Sequence, residues 1–387
     1  MEITLCDISA FQYWRIPPIV KLLAVAPEDD STLRRLLTAA ELYELRNSMA
    51  QRLALCRLSF ADGAKWRKTG EVSQIVRDAS MLLAPNLKPP VDVLVDSPNE
   101  MHHSTAIKTH IWGGDLISGS TSSITDELSV TSPAFTLQQL AAKCSLTRTV
   151  LMASEMCGTF AVYRAPEPIR GTLQSLYNRG VSLSYGGWSP GVTPAGKLTA
   201  LWQREPLVDV HELISQAELS DSNRGRKRLL RAAELVHPGA ASPFEVQVGI
   251  LLGFPRRLGG EELDDFEHNK LIELSGTAKI LAGKQRCYGD LVWDEGLDIE
   301  CQSTTHHDSG HSYLKDSERI TALELMGYHV LPITYGQLSD SRRWDAVVDA
   351  VCSVLGRERK PKTAKLQAAA SKLRSEVLVG WAELPFA

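Results

Sequence analysis

The chain has 387 residues and a formal net charge of −4, and 43% of its residues are hydrophobic and 23% charged. This length predicts two or three domains with real cores, and the composition is that of an ordinary globular protein. The weak negative charge excludes a global attraction to nucleic acid, so any such contact depends on local basic patches.

The sequence favours a cytoplasmic protein without a membrane anchor. No stretch reaches the roughly 20 apolar residues of a membrane span, and the first residues lack the basic and apolar regions of a signal peptide. The seven cysteines form no C-x-x-C pair. This disfavours zinc and disulfide frameworks and indicates a reduced compartment.

Residues 1–90 are predicted to be a mainly helical region. Ser31-Thr32 is a helix start signal. The apolar residues that follow recur at helical spacing and are Leu33, Leu36, Leu37, Ala40 and Leu45.

Residues 91–215 are predicted to form an α/β region. Strand-forming residues between turn signals indicate strands at 91–95 and 128–130. A helix is predicted over 149–163, and a loop over 180–200, where Gly, Ser and Pro are frequent.

A further domain is predicted over residues 220–356, and it begins with a basic helix over 220–236. The basic residues of this helix have no acid among them, so they can contact phosphate groups. A plain solvated helix face is the equal alternative. These residues are Arg224, Arg226, Lys227, Arg228 and Arg231.

The most informative stretch is RCYGDLVWDEGLDIECQS, residues 286–303, which predicts two strands joined by the turn Asp294-Glu295-Gly296. With Glu295 at the centre of that turn, Asp290 lies opposite Glu300, and such cross-strand neighbours hold their Cβ atoms about 5 Å apart. Gln302 points to the same face as Glu300. Two carboxylates at this separation suit a shared divalent cation, Mg²⁺ or Mn²⁺.

The elements around this hairpin predict a mixed sheet with helices on both sides. A helix follows Ser242-Pro243, and after the hairpin a polar loop leads to a helix over 314–326 and a strand over 328–333. Helix, strand, strand, loop, helix and strand in this order are typical of an α/β domain. Residues 357–387 predict a basic helical tail.

Glu245 on the first of these helices precedes Asp290 and Glu300 on adjacent strands, and this order resembles the PD-(D/E)XK nuclease superfamily. The closer likeness is to the very short patch repair endonucleases. Those proteins carry a His-bearing loop, a helix with Asp-x-x-Arg and a Gly-aromatic pair before a strand. The corresponding residues here are His306-His307, Asp316 with Arg319, and Gly327-Tyr328.

The resemblance implies a restriction-endonuclease-like fold and a metal-dependent phosphodiester hydrolase of a prokaryotic defence or toxin–antitoxin-like system, with DNA favoured over RNA. Asp290, Glu300 and the carbonyl group of Cys301 are then the ligands of Mg²⁺ or Mn²⁺. Glu245 then holds either a metal-bound water or a second ion.

The resemblance also assigns proton transfer to the loop histidines His306 and His307, with His311 as a third candidate. Asp316 and Arg319 lie one helical turn apart. They either pair with each other or orient the histidine loop.

Gln302 stands where the superfamily has a lysine. A glutamine side chain cannot carry a positive charge, but it can hydrogen-bond the attacking water or a phosphate oxygen. A catalytically inactive, nuclease-like regulator that binds nucleic acid or a partner protein is therefore the alternative.

The N-terminal half loosely resembles the AbiEi-type antitoxin and regulator proteins of bacteria. That resemblance implies a DNA-binding part joined to an α/β domain, and a protein partner in phage defence. The points of likeness are Ser9-Ala10, Trp14-Arg15, Ser97-Pro98, Ser132-Pro133 and the segment 155–163.

A second polar cluster is formed by His102, His103, His110 and Trp112. Imidazole is a common metal ligand, but the single sequence gives little support for a metal site here.

Overall fold

The structure is a computed structural model that describes residues 3–26, 29–60, 90–101, 107–124, 128–302 and 310–384. It contains a five-stranded, a four-stranded and a three-stranded sheet. Helices flank the sheets, which confirms the α/β class predicted from the sequence. None of the helices in these ranges combines the length and the hydrophobicity that a membrane crossing requires.

The strands of the described residues are, in chain order, β1 (Ile3–Leu5), β2 (Val91–Val95), β3 (Ile107–Ile111), β4 (Thr121–Ser123), β5 (Leu128–Thr131), β6 (Phe160–Val162), β7 (Ser189–Val192), β8 (Leu198–Gln203), β9 (Phe266–Glu273), β10 (Arg286–Trp293), β11 (Leu297–Gln302) and β12 (His329–Thr334). The α-helices of the same ranges are α1 (Asp7–Trp14), α2 (Pro18–Val25), α3 (Ser31–Leu36), α4 (Ala39–Phe60), α5 (Pro133–Ala141), α6 (Leu146–Met156), α7 (Glu167–Asn178), α8 (Val210–Leu219), α9 (Arg226–Ala233), α10 (Pro243–Gly253), α11 (Gly276–Ala282), α12 (Gly310–Leu325), α13 (Tyr335–Ser339), α14 (Ser341–Val354) and α15 (Ala364–Val377).

The five-stranded sheet has the order β3-β2-β1-β5-β4, with the short β1 at its centre. β1 pairs antiparallel with β2 and parallel with β5. The predicted strands β2 and β5 are confirmed. The helical prediction for residues 1–90 missed β1, because so short a strand shows no hydrophobic period and depends on partners far along the chain.

The single helix predicted after Ser31 is two helices in the structure. Asp30, one residue earlier, caps α3 by accepting the N–H groups of Thr32 and Leu33 at 2.8 and 2.9 Å. α3 ends because Leu37 is extended, and α4 begins two residues later.

The helix predicted over 149–163 and the loop predicted over 180–200 are each wrong in part. α6 ends at Met156, and β6 follows after a tight turn through Gly158. A Cβ on Gly158 would lie 2.7 Å from two backbone oxygens, so this turn requires glycine. β7 and the start of β8 lie in the predicted loop and pair antiparallel.

The predicted C-terminal hairpin, helix and strand are present as β10, β11, α12 and β12. They belong to the four-stranded sheet β12-β11-β10-β9, in which β11 and β12 are parallel. β9 was not predicted, and it pairs antiparallel along β10. The basic helix α9 is shorter than predicted and begins after Gly225, whose φ of 71° is left-handed.

Two hydrophobic clusters cover opposite faces of the four-stranded sheet. The larger cluster joins this sheet to α5, α6, α8, α9, α10, α14 and α15, and its members extend from Phe11 to Leu384. The smaller cluster lies beneath α12. Its buried members are Ile272, Leu274, Ala278, Cys287, Val292, Ala322, Leu323 and Val330.

A buried ion pair ties the N-terminal helix α1 to α6 and to the C-terminal segment. Arg15 Nε donates to Glu155 Oε1 at 2.8 Å, a second guanidinium nitrogen contacts Oε2, and the two side chains are 8% and 1% exposed. Trp381 Nε1 also donates to Glu155 Oε2, and Arg15 Nη1 donates to the carbonyl oxygen of Leu384. Residues from three distant parts of the sequence therefore share one hydrogen-bonded network.

The basic residues at the start of the predicted tail are paired with acids. Arg357 contacts Asp265 and Glu295, and Arg359 contacts Asp345, Asp349 and Glu261. The tail is thus held against the C-terminal region, and these guanidinium groups are engaged within the protein.

Removal of the buried Glu155 carboxylate tests this network. Glu155→Gln leaves the charge of Arg15 buried without an anionic partner, and we expect a loss of about 3 to 5 kcal/mol in the free energy of unfolding, measured by urea denaturation. Glu167→Gln is the control, because Glu167 is 71% exposed in its pair with Arg170 and should change stability by less than about 0.5 kcal/mol. Equal effects of the two substitutions would contradict the assignment.

Candidate functional site

Glu245 lies in the first turn of α10, where the local sequence buries it. Ser242 caps the helix by accepting the N–H of Glu245 at 3.2 Å, and Pro243 occupies the first turn. The helix is buried from Phe244 to Gly253, and Glu245 is 5% exposed. Its Oε2 accepts the N–H of Ala241 at 2.7 Å and the side-chain amide of Asn269 at 2.9 Å.

The hairpin has the register that the sequence predicted. Leu291 pairs with Ile299 and Val292 with Asp298, so the turn is centred on Glu295 and Asp290 faces Glu300. Asp290 Oδ2 accepts the backbone N–H of Cys301 at 2.8 Å. The Asp290 carboxylate therefore bridges the two strands beside Glu300.

The alternation of side chains along β9 and β10 changes at Asp290. Cys287 and Val292 both pack in the smaller cluster, although strict alternation would place residues an odd number of positions apart on opposite faces. Asn269, which faces Asp290 across the β9–β10 ladder, has a left-handed φ of 50°. This irregularity re-aims the chain beside the acids, as bulges next to functional sites do.

Asp298 is a further buried acid that the sequence analysis did not include. It is 0% exposed, and its carboxylate lies against the carboxyl group of Glu300 and the backbone of Asp290, neither in full hydrogen-bond geometry. It packs over Gly289, where an added Cβ would lie 2.6 Å from Asp298 Oδ1. The alternation of side chains along the strand could have indicated Asp298, because it lies two positions before Glu300 and therefore on the same face.

Arg319 on α12 is the cation that contacts this group. One guanidinium nitrogen contacts Glu300 Oε2, and another donates to the carbonyl oxygen of Tyr288 at 3.0 Å. Glu300 Oε1 is buried and has no hydrogen-bond partner. Arg319 thus holds Glu300, a contact that the sequence did not predict, while its predicted partners are not described. The side chain of Asp316 lies outside the described part of the structure, as do His306 and His307.

The four acids raise one another's pKa values. Desolvation is the largest cause in each case, and it raises the pKa of Glu245 and Glu300 to about 8 and that of Asp290 to about 7. The charge of Glu300 further raises the pKa of Asp290, whose own charge raises that of Glu245. The pKa of Asp298 rises to about 6. Burial of like charges at this density favours protonation or a bound cation.

His268 on β9 also contacts Asp290, and the sequence did not predict a role for it. Its Nδ1 lies 3.2 Å from the carbonyl oxygen of Asp290, so that nitrogen carries the proton it donates. Burial lowers its pKa to about 3. His268 is therefore a neutral hydrogen-bond donor that positions Asp290.

The basic helix lines a surface pocket of about 440 Å³ whose wall includes Lys227, Arg228 and Arg231. Arg228 donates to the carbonyl oxygen of Ala141 at 2.6 Å, and Arg231 pairs with Glu234. Lys227 is exposed.

Arg224 and Arg226 complete the predicted set of phosphate-binding residues. Arg224 donates to the carbonyl oxygen of Ile111 at 3.1 Å, so its guanidinium is in part engaged within the protein. Arg226 is half-buried at the start of the helix. Lys227 and Arg228 are both exposed on the pocket wall, but the Arg228 guanidinium donates to the carbonyl oxygen of Ala141, whereas Lys227 has no such bond in the described structure.

A separate group in the five-stranded sheet has the geometry of a metal site. Ligand atoms of Asp7, Asp92 and His110 all lie within 4.8 Å of one another, so this buried group could hold a metal ion. Within the described ranges the hairpin acids do not form such a three-residue group. His110 belongs to the predicted histidine cluster, but its partners are aspartates. His102 and His103 lie outside the described residues.

The chain matches no family model, and neither a curated protein nor a solved structure is significantly similar to it.

The raised pKa values predict how stability depends on pH. A carboxyl group with a raised pKa binds its proton more tightly in the folded state, so its contribution to stability is present at low pH and lost as pH rises. For Glu245 and Glu300 this loss extends from about pH 4.5 to about pH 8. Asp298→Asn removes one buried charge, and since one pKa unit is about 1.4 kcal/mol, we expect a gain of about 1 to 3 kcal/mol at pH 8.5.

The measurement is urea unfolding at pH 5 and pH 8.5 without divalent ions. The fall in stability between the two pH values should be smaller for Asp298→Asn than for the wild type. Asp294→Asn is the control, because Asp294 is 87% exposed, and it should leave the fall unchanged. A wild-type stability that rises over this interval would contradict the prediction.

Proposed function

We propose that the protein is a metal-dependent phosphodiester hydrolase, a nuclease that acts on DNA, and that Glu245, Asp290 and Glu300 form its site. The observation that carries the proposal is the concentration of buried carboxylates around Arg319. Buried charges without compensation cost several kcal/mol each. They lie beside Cys301 and Gln302, which are half-buried, and a bound cation would compensate their charge.

The donor atoms fit Mg²⁺ or Mn²⁺. Both ions prefer oxygen ligands, and Asp290, Glu300 and the carbonyl oxygen of Cys301 would supply them. Glu300 Oε1 is buried and has no hydrogen-bond partner, so it is available for a ligand bond. When bound, the ion supplies charge stabilisation for the phosphoryl oxygens and lowers the pKa of water at the site.

The residues of the chain have distinct roles in this proposal. The N–H of Cys301 fixes the Asp290 carboxylate, and His268 holds the backbone carbonyl group of the same residue. Glu245, with its pKa near neutrality, accepts the proton of the attacking water. Gln302 hydrogen-bonds a phosphate oxygen, and Arg319 supplies the positive charge that the lysine of the PD-(D/E)XK superfamily would otherwise provide.

The pairing of Arg319 with Glu300 favours a second candidate function. An arginine that neutralises Glu300 reduces the need for a metal ion there, as expected of a nuclease-like regulator that binds nucleic acid or a partner protein without cleaving it. Titration calorimetry with Mn²⁺ on the wild type and on Asp290→Asn distinguishes the two, because only binding that the substitution removes belongs to the hairpin acids. The hydrolase binds the ion through Asp290 and Glu300, whereas the regulator has no such requirement.

The activity test uses purified full-length protein with supercoiled and linear DNA in Mg²⁺ or Mn²⁺. We expect nicking or degradation that EDTA abolishes. Asp290→Asn, which keeps the shape of the side chain but loses the ligand charge, should reduce the rate to that measured without metal. Asp294→Asn in the exposed turn is the matched control and should retain the wild-type rate. Cleavage by Asp290→Asn at the wild-type rate would disprove the assignment.

The basic helix α9 predicts a salt-dependent contact with the phosphate backbone. Each phosphate neutralised contributes about 0.9 to the slope of log affinity against log salt for duplex DNA. Lys227→Ala should therefore weaken binding and lower that slope by about 1. Lys197→Ala in the turn between β7 and β8 is the control, because Lys197 is exposed and its neighbour Leu198 packs in a different hydrophobic cluster from α9, and it should leave the slope unchanged. Equal slopes for all three proteins would exclude Lys227 from the interface.

A further inference from the structure

The end of β1 carries a polar group that the proposed nuclease site does not use. Asp7 follows β1, Asp92 lies on β2 and His110 on β3, which are neighbouring strands. Asp7 is 2% exposed and Asp92 5% exposed, while the His110 side chain is 17% exposed. The group is therefore buried but reachable from one side.

The hydrogen bonds of this group fix the orientation of the His110 ring. His110 Nε2 lies 2.6 Å from Asp92 Oδ1, and a carboxylate can only accept, so Nε2 carries the proton. Ser9 holds Asp92 in turn, because its hydroxyl accepts the N–H of Asp92 at 2.8 Å. His110 Nδ1 is left with a lone pair. Metal-binding histidines have this pattern, with the far nitrogen donated to a carboxylate.

Asp7 and His110 bring two possible ligand atoms close together. Asp7 Oδ2 lies 3.9 Å from His110 Nδ1, and two ligands at about 2.1 Å from one tetrahedral ion would be about 3.4 Å apart. Asp7 Oδ1 is buried and has no hydrogen-bond partner. The backbone N–H of Asp7 is held by Gln139 Oε1 at 2.9 Å. The carboxylate is therefore positioned and retains an unused ligand atom.

A cationic group already contacts both ligand atoms. The ammonium group of Lys143 contacts Asp7 Oδ2 and lies 3.5 Å from His110 Nδ1. Its side chain is 46% exposed, so it can leave towards solvent without disrupting the core. The ammonium group thus marks the position at which the protein stabilises a positive charge.

We infer that Asp7 and His110 bind a divalent transition-metal ion through a carboxylate oxygen and Nδ1, with Asp92 holding the opposite ring nitrogen and Lys143 competing as an internal cation. An imidazole with carboxylates favours Zn²⁺, Mn²⁺ or Co²⁺ over Mg²⁺, which prefers oxygen ligands alone. This site is separate in sequence and in sheet from the hairpin acids. It therefore stands whether or not the chain cleaves DNA.

The test is calorimetric titration of the full-length protein with Co²⁺, whose visible spectrum also reports the coordination. The starting protein carries Asp290→Asn and Glu300→Gln, so that binding at the hairpin acids is removed. We expect this protein to bind Co²⁺, and we expect Asp7→Asn or His110→Ala to abolish that binding. Asp92→Asn should weaken it by about 10- to 100-fold, as loss of a carboxylate behind a ligand histidine does.

Lys143→Met separates a metal site from a purely structural network. Removal of the competing ammonium should tighten Co²⁺ binding, whereas Lys197→Met should leave it unchanged, because Lys197 is exposed in the turn between β7 and β8 of another sheet. Circular dichroism without metal checks that each variant is folded, and His110→Gln replaces His110→Ala if the latter is not. The inference is overturned if Co²⁺ binding is absent, or is unchanged by Asp7→Asn and by the His110 variants.

Discussion

The buried ion pair between Arg15 and Glu155 is the constraint on which the arrangement of the chain depends. Its two charges come from the ends of α1 and α6, and Trp381 and Leu384 from the C-terminal segment complete their hydrogen bonds. Charges buried to this extent are stable only when every partner is in place. The pair therefore couples the N-terminal sheet, the central helices and the C-terminal segment into one cooperative unit.

The acids of the hairpin show the opposite situation. Asp298 and Glu300 Oε1 are as deeply buried as Glu155, but they have no hydrogen-bond partner in full geometry. A folded protein retains such groups at the expense of its own stability, and sites that break the local rules of packing are where function is expected. The contrast between a satisfied buried charge and unsatisfied ones is the physical basis for placing the proposed site at the hairpin.

The two candidate sites differ in the chemistry of their donors. The hairpin offers carboxylates and a backbone carbonyl, while the group at the end of β1 combines carboxylates with an imidazole. Each has an internal cation, which is Arg319 in the first and Lys143 in the second. The exposed ammonium of Lys143 can be displaced more easily than a guanidinium that also bonds a backbone carbonyl.

The sequence alone determined the features that depend on neighbouring residues. The turn at Glu295 and the alternation of the strands predicted that Asp290 faces Glu300, because the register of a hairpin depends only on nearby residues. The start of α10 was predictable from Ser242-Pro243 for the same reason. Composition and the order of elements were enough for the α/β class.

Only the tertiary structure decided which distant residues meet. β1 and β9 form only because distant strands pair with them, and the contact of Arg319 with Glu300 could not be predicted from the sequence. The meeting of Asp7, Asp92 and His110 depends on the order of strands in the five-stranded sheet. The tertiary structure also decides the pKa values of the carboxyl groups. These values depend on desolvation and neighbouring charge, and neither can be read from a linear sequence.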